Sequence, residues 1–263
     1  MINDLPLFAL QVKKQFCQRV GEFEKSANWI KNHRLLALHK KFTFLPVFQV
    51  RQKDEKKRPV VLELCCGTGV VGGSFLNSAR MVVGLDLSPE MLQRAKKRLS
   101  CCVNSNATRL PFKSATFDII VCRQALHFLD LHRLVHEIKR VIRRGGRIVL
   151  SQIVPFNEKD ESWLRKIHTA KQPLLKNFIR QPDVIQLLKK IGCKKIVKEN
   201  FTVGESINRW LAFAPELSAR AVQKVKNLFR TAPPVYKKLH RTRILNGDII
   251  DTMNWVVASG VKK

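Results

Sequence analysis

The residues from Val60 to Gly72 combine an apolar strand, an acidic side chain and a glycine-rich turn. They read Val-Val-Leu-Glu-Leu-Cys-Cys-Gly-Thr-Gly-Val-Val-Gly, and Gly67, Gly69 and Gly72 satisfy the pattern G-x-G-x-x-G. A turn of this kind at the start of a helix presents unpaired backbone N–H groups, and its glycines let a ligand approach the backbone closely. The pattern alone is weak evidence, because it suits a dinucleotide site equally well.

Two carboxylates stand at the ends of consecutive predicted strands. Glu63 lies four residues before Gly67, where a dinucleotide site normally keeps an apolar residue, and a carboxylate there suits a ligand that carries an ammonium group. Asp86 closes the next strand, where it is well placed to accept both hydroxyls of a ribose. A site for NAD shares the second feature, so the choice between ligands depends on Glu63 and on a third segment.

That third segment is the turn Asn-Ser-Asn-Ala-Thr-Arg-Leu-Pro-Phe at 104–112, followed by Phe-Asp-Ile-Ile-Val-Cys at 117–122. Together the three segments resemble the class I S-adenosylmethionine-dependent methyltransferase family, and within it the type 11 domain of the ubiquinone and menaquinone biosynthesis C-methyltransferases. The resemblance covers residues 60–153, with the motifs in the same order and at similar spacing, and the remainder more loosely. It implies S-adenosylmethionine as the cofactor.

The resemblance implies a role for each matching residue. Glu63 matches the acidic residue near the methionine amino group, Asp86 the ribose-binding acid, and Leu87 the apolar neighbour that packs on adenine. Asn106 and Ala107 match an Asp-Ala pair whose first member contacts the adenine amino group. Asparagine replaces aspartate here, and its amide oxygen can still accept that hydrogen bond.

The remaining matches surround the methionine and sulfonium parts of the cofactor. Gly67 and Gly69 match the glycines over which the methionine moiety passes, and Gln124 faces the sulfonium region. Cys65 stands where many members have glycine, a departure that the quinone branch also tolerates. The complete set of predicted cofactor-binding residues is Glu63, Cys65, Gly67, Thr68, Gly69, Asp86, Leu87, Met91, Asn106, Ala107 and Gln124. Two structural alternatives stay open: Glu63 as a solvated strand cap, and Gly72 and Gly73 as residues that only permit close packing of a helix on a strand.

No catalytic residue is identified from the sequence. A methyl group on a sulfonium is already activated, so a protein contributes in-line positioning and removal of water, and needs a base only if the acceptor must lose a proton. The candidates for such a base are His127, His168 and Tyr236. The structural alternative is that His127 walls the pocket and that the helix carrying His168 simply covers the core.

The elements around these motifs predict an α/β fold. Short apolar runs alternate with amphipathic helices, which is typical of a parallel sheet. Strands are predicted at 59–64, 80–86, 101–104, 117–122, 146–153, 195–203 and 253–261, and helices within 8–40 and at 70–78, 89–99, 131–143, 159–178, 182–191 and 205–230. The expected fold is Rossmann-like, with seven mostly parallel strands, an antiparallel last strand, helices on both faces and helical lid insertions.

The lid insertions are expected above the carboxyl ends of the strands, where ligands bind in open α/β sheets. The helix with His168 and the one with Trp210, Leu211 and Phe213 would cover an apolar acceptor. We predict a single domain over 1–263. Its parts are N-terminal helices and a linker (1–58), the cofactor-binding core (59–154), and the lid helices with the last two strands (155–263).

The bulk composition narrows the class of protein. The 263 residues are 45% hydrophobic and 26% charged, which is typical of a globular protein. No apolar stretch is long enough for a transmembrane helix and no secretion signal is found, so we expect a cytoplasmic location. The seven cysteines include no CxxC, and we expect small buried thiols with no disulfide framework or metal.

The net charge of +29 indicates which kinds of partner the protein attracts. Such a field attracts RNA, an anionic membrane surface or an acidic small substrate, although a general solubility bias explains it as well. We expect methyl transfer to a small aromatic or lipophilic metabolite, with an RNA methyltransferase as the alternative. The segment Arg-Gln-Ala-Leu at 123–126 lacks the Asn/Asp-Pro-Pro-Tyr/Phe tetrad of many amino-directed nucleic-acid enzymes. A third hypothesis, a cofactor-binding partner subunit without catalysis, is disfavoured by the intact cofactor motif.

Overall fold

The computed structural model describes residues 5–44 and 57–263. Before the sheet, α1 (Leu7–Arg19) and α2 (His33–Thr43) confirm the two predicted N-terminal helices. The side chain of Asn32 accepts the Leu35 N–H at 2.9 Å and so caps α2. The linker predicted between the N-terminal helices and residue 59 lies outside the described residues at positions 45–56.

Eight strands form one sheet. They are β1 (Val60–Leu64), β2 (Met81–Asp86), β3 (Cys101–Asn104), β4 (Phe117–Arg123), β5 (Ile142–Ile153), β6 (Cys193–Ser206), β7 (Arg243–Leu245) and β8 (Asp248–Lys262). Their order is β3-β2-β1-β4-β5-β8-β6, with β7 paired to β8. The first five pair in parallel, and β8 runs antiparallel to both β5 and β6. This confirms the predicted fold, with its antiparallel last strand.

The prediction of seven strands missed β7. All three of its side chains are exposed, so burial leaves no alternating pattern in the sequence. The expectation of buried thiols is wrong for β3, where Cys101 is exposed and Cys102 partly exposed. The reason is its position at the edge of the sheet, where one side has no neighbouring strand.

The helices after β1 are α3 (Val70–Gly73), α4 (Pro89–Ala95), α5 (Leu131–Val141), α6 (Glu158–Lys171), α7 (Gln181–Ile191), α8 (Ile207–Ala212), α9 (Ala219–Arg230) and α10 (Pro234–His240). The single helix predicted over 205–230 is wrong. The break contains Pro215, and the Ser218 hydroxyl accepts the Ala221 N–H to start α9. The helix predicted over 159–178 stops at Lys171, because Pro173 follows.

The sheet separates two apolar cores, and a third cluster lies among the lid helices. Leu62 and Ile120 belong to one face, and Val61 and Trp255 to the other, all with no exposed surface. The third cluster joins α6, α8, α9 and α10 and includes Tyr236. Within the described ranges, no helix has the length and apolar character that crossing a bilayer requires.

Candidate active site

A cavity of about 200 Å³ opens at the carboxyl ends of β1, β2 and β4. The strand order reverses here, because β2 and β3 lie on one side of β1 while β4 and β5 lie on the other. Ligands usually bind at this point in open α/β sheets. Ten of the predicted cofactor-binding residues and candidate bases line the cavity. They are Glu63, Cys65, Gly67, Asp86, Leu87, Asn106, Ala107, Gln124, His127 and His168. The parallel sheet therefore brings the sequence motifs together at one site.

The turn after β1 depends on left-handed backbone conformations. Cys65, Gly67 and Gly69 have φ angles of +52°, +54° and +75°. Glycine adopts this region without strain, whereas Cys65 does so at an energetic cost. Gly67 lines the cavity with no side chain of its own, so a ligand can approach its backbone directly.

Glu63 is a buried carboxylate rather than a solvated cap. It is 3% exposed, and its Oε2 accepts the N–H of Gly72 at 2.8 Å. Burial raises the pKa of Glu63 to about 7, while the nearby charge of Arg123 opposes that shift. Arg123 also lines the cavity, and its guanidinium lies 5.1 Å from the Trp29 ring. A buried carboxylate of this kind gains most from a cationic ligand group.

Asp86 is fixed by the backbone on both sides. Its Oδ2 accepts the Gly67 N–H at 2.8 Å, and its Oδ1 accepts the Ser88 N–H at 2.9 Å. Burial raises the pKa of Asp86, and these backbone N–H groups counteract part of the rise. The carboxylate thus holds the glycine turn in place and retains lone pairs that can accept hydroxyl groups.

The turn after β3 supplies the next part of the cavity wall. Ala107 is buried, and the Asn106 side chain points its Oδ1 at Thr108, accepting both the backbone N–H and the hydroxyl at 2.9 Å. The resemblance implied that this amide oxygen accepts a hydrogen bond from the adenine amino group. In the structure it accepts hydrogen bonds within its own turn. Within residues 5–44 and 57–263, no hydrogen bond holds the Asn106 Nδ2, so this amide group can donate to a ligand at the cavity wall.

Gln124 begins the turn after β4. It has a φ of +52°, and its Oε1 accepts the Ile153 N–H at 2.8 Å, which ties the end of β4 to the end of β5. Beside it, His127 is 8% exposed, and burial lowers the pKa of its imidazole to about 3. The His127 Nδ1 lies 3.0 Å from the Gln152 Nε2. The imidazole is therefore neutral at pH 7 and held by an amide.

Four predicted residues do not line the cavity. Thr68 is buried under Arg98, which donates to its carbonyl at 3.0 Å. Gly69 packs against α4, and Met91 is fully buried in that helix. Tyr236, a candidate base, lies in the lid cluster, where its hydroxyl donates to Asp251 at 3.3 Å.

Helices from both ends of the chain complete the wall opposite the sheet. The predicted lid helices contribute His168 from α6 and Trp210 from α8, whereas Leu211 packs in the lid cluster instead. No feature of the sequence predicted that α1 forms part of the cavity wall. Its Phe16 packs edge-on against Phe128 with ring centroids 5.4 Å apart. The aromatic side chains that line the cavity are Phe16, Phe23, Trp29, Phe128, Phe178, Trp210 and Phe213.

The segment from α1 to Trp29, here called the N-terminal cover, is held by contacts at several points. The Cys17 thiol donates to Glu90 on α4 at 2.6 Å, and Arg19 forms an ion pair with Glu216. Glu205 at the end of β6 accepts the backbone N–H groups of Asn28 and Trp29, each at 2.8 Å. These contacts join segments more than 70 residues apart, which explains why no local pattern announced them.

Comparison with known proteins identifies the central segment. Residues 62–150 match a family model described as a methyltransferase domain. An uncharacterized protein of Methanocaldococcus jannaschii is 32% identical over 147 residues, which cover 54% of this chain and 69% of the relative. The demethylmenaquinone methyltransferase of Thermotoga maritima is 36% identical over 104 residues, 38% of this chain and 45% of that enzyme.

Among solved structures, the YcgJ protein of Bacillus subtilis superposes with a TM-score of 0.75 at 18% identity. The superposition covers 88% of this chain and 99% of that protein, so it extends over the lid as well as the core. At this level of identity the likeness concerns the fold. The chain spans less than half the length of the menaquinone enzyme that it matches.

Proposed function

Because the chain belongs to the class I S-adenosylmethionine-dependent methyltransferase family, we propose that it transfers a methyl group to a small aromatic or lipophilic metabolite. The observation that carries the proposal is the composition of the cavity. We assign the part of the lining that contains the carboxylates of Glu63 and Asp86 beside the Gly67 turn to the cofactor end, and the part that contains aromatic rings such as Phe128 and Trp210 to the acceptor end. Cofactor and acceptor would therefore share one enclosed space.

The residues at the first end fit the cofactor of the family. The buried Glu63 carboxylate suits the methionine ammonium, and Asp86 suits the ribose hydroxyls. The bare backbone at Gly67 leaves room for the methionine chain, and Leu87, Asn106 and Ala107 border the place expected for adenine. When bound, S-adenosylmethionine supplies a methyl group that its sulfonium already activates.

The residues at the second end exclude water and orient the acceptor. The aromatic walls favour a flat or lipophilic molecule, because ring faces and edges give large contact areas without hydrogen bonds. His127 is neutral, and with the Gln152 Nε2 donating to its Nδ1, its Nε2 carries the proton and acts as a donor. In this state His127 positions an acceptor oxygen or nitrogen rather than removing its proton.

The N-terminal helices, the core and the lid are proposed to work as one domain, with parts at 1–58, 59–154 and 155–263. Support comes from the sheet, in which β5 of the core pairs with β8 of the last part. We also propose a cytoplasmic enzyme. The alternative acceptor is RNA, for which the net charge of +29 is the supporting feature, and an anionic membrane surface is a second possible partner. The enclosure of the cavity by α1 and α6 favours the small metabolite.

Calorimetry and metabolite analysis test the proposal in two steps. The protein should bind S-adenosylhomocysteine with micromolar affinity and ignore NAD, as expected for the family. Mass spectrometry of small metabolites and of total RNA, from cells with and without the gene, should then show one methylated metabolite missing. Uptake of NAD alone would contradict the cofactor assignment. A missing RNA mark, together with strongly salt-dependent RNA binding, would favour the alternative acceptor.

A further inference from the structure

A lysine faces the acceptor end of the cavity without an anionic partner. Lys171, the last residue of α6, is 6% exposed and lines the cavity. Its Nζ lies 5.1 Å from the centroid of the Trp210 ring, which also lines the cavity. Among residues 5–44 and 57–263, no hydrogen bond or ion pair holds this ammonium group. A largely buried ammonium group that no carboxylate contacts directly gains most from an anionic ligand.

The carboxylate of Glu216, which acts electrostatically on Lys171, already accepts hydrogen bonds from other donors. Arg19 donates its Nε to the Glu216 Oε2 at 3.1 Å and contacts the other oxygen through Nη2. Gln15 donates to that same oxygen at 2.9 Å. Burial and the charge of Arg19 lower the pKa of Lys171 to about 7, although Glu216 opposes the shift. The local balance is two basic side chains against one carboxylate.

We propose that Lys171 binds a single anionic oxygen group, a carboxylate or an ionised phenol, on an aromatic acceptor. The inference rests on the proposed function and specifies its substrate class. Arg19 and Lys171 share the single carboxylate of Glu216, so one positive charge is left over, and one negative charge on the acceptor would balance it. The ring of the acceptor would lie between the aromatic walls formed by Phe16, Phe178 and Trp210.

The test uses probes that share one ring system and differ in charge. The full-length protein, saturated with S-adenosylhomocysteine, is titrated by calorimetry at pH 7 with 2-naphthoate, 2-naphthol and neutral 2-naphthalenemethanol. At least one of the two acidic probes should bind about tenfold or more tighter than the alcohol, as expected for a desolvated charge pair. The stronger of the two identifies a carboxylate or a phenol as the preferred group.

Substitution then assigns the preference to Lys171. K171M should remove it and K171R should retain part of it, while K166M, on an exposed lysine of the same helix, should leave it unchanged. Equal binding of all three probes to the unmodified protein, or a preference that survives in K171M, would overturn the inference. The unmodified protein alone keeps the test decisive if K171M does not fold. Failure to bind S-adenosylhomocysteine would instead count against the proposed function, and the probe comparison could still be made without it.

Discussion

The Glu63 carboxylate and the Gly72 backbone are in direct contact. Oε2 of Glu63 accepts the Gly72 N–H at 2.8 Å, and a Cβ added to Gly72 would lie 2.6 Å from that same oxygen. The third glycine of the motif therefore has a specific purpose, since it leaves room for the carboxylate that faces the cavity. The packing alternative is also correct, because the added Cβ would lie 2.8 Å from Leu99.

Substitution of Gly72 should affect ligand binding as well as stability. G72A should weaken S-adenosylhomocysteine about tenfold, because the Glu63 carboxylate must move, and should cost about 1–3 kcal/mol of unfolding free energy from overpacking. Calorimetry and urea denaturation measure the two effects. The control is G204A, where an added Cβ meets nothing within 4 Å. Unchanged affinity in G72A would separate Glu63 from the ligand.

Cofactor binding should depend on pH through Glu63. Its pKa of about 7 in the free protein falls when a cationic ligand binds, so binding releases a proton where Glu63 is still protonated. As the pH increases towards 7, the affinity for S-adenosylhomocysteine should rise by up to tenfold per pH unit, and above pH 7 it should level off. Calorimetry at pH 6, 7 and 8 in buffers of different ionisation enthalpy measures both effects. E63Q should bind weakly without this pH dependence, and a persistent dependence in E63Q would assign the proton to another group such as Asp86.

Removal of the Asp86 carboxylate should release both the ribose and the glycine turn. D86A loses the acceptor for the Gly67 and Ser88 N–H groups in addition to any ligand contact. We expect S-adenosylhomocysteine affinity to fall about 100-fold, in line with the loss of two charge-assisted hydrogen bonds. Asp118, which accepts the Val60 N–H at the opposite end of β1, is the control for a carboxylate held by backbone. Equal losses in D86A and D118A would indicate a general effect on folding.

The lid is fixed by an ionised histidine. The His240 Nε2 lies 2.9 Å from the Asp160 Oδ2 and its Nδ1 lies 3.2 Å from the Asp251 Oδ2. These hydrogen bonds raise its pKa to about 9 against the opposing effect of burial. Because this value lies above that of the unfolded chain, the stabilisation is complete below about pH 6.5 and is lost as pH rises through 9.

H240A should therefore cost about 3–5 kcal/mol of unfolding free energy at pH 6, since two buried carboxylates lose their shared cation. The difference between H240A and the unmodified protein should shrink as the pH rises from 6 to 10. Urea denaturation across this range measures it, with H136A as an exposed control. A difference that does not change with pH would mean that His240 is neutral in the folded protein.

The N-terminal cover should depend on Glu205. Its carboxylate, fully buried, accepts the N–H groups of Asn28 and Trp29, so E205A leaves two backbone donors without a partner. Proteolysis between residues 20 and 32 should become at least about tenfold faster, as for a segment whose opening becomes about 1.4 kcal/mol less costly. E199A on the same strand is the control, because the exposed Lys41 is the one ion-pair partner of that side chain among the described residues. Cleavage at unchanged rates would show that the cover is held elsewhere.

Much of the candidate site was predictable from the sequence. Glu63, Gly67, Asp86 and Asn106 belong to short strand-and-turn units, and parallel pairing brings the carboxyl ends of such strands to one edge of the sheet. Composition and periodicity were also sufficient to predict the fold class. The reason is that backbone φ preferences, strand hydrophobicity and the order of the units are local properties, which can be read from the sequence.

Only the tertiary structure decided which side chains meet across the cavity. No local pattern predicts that Phe16 and Arg19 lie over the site. Nor does one predict that Glu216 pairs with Arg19 and leaves Lys171 without an ion pair, or that the Asn106 oxygen is used within its own turn. Contacts between residues 150 or more positions apart depend on how helices pack on the finished sheet. Packing depends on shape and burial in three dimensions, and a linear sequence displays neither directly.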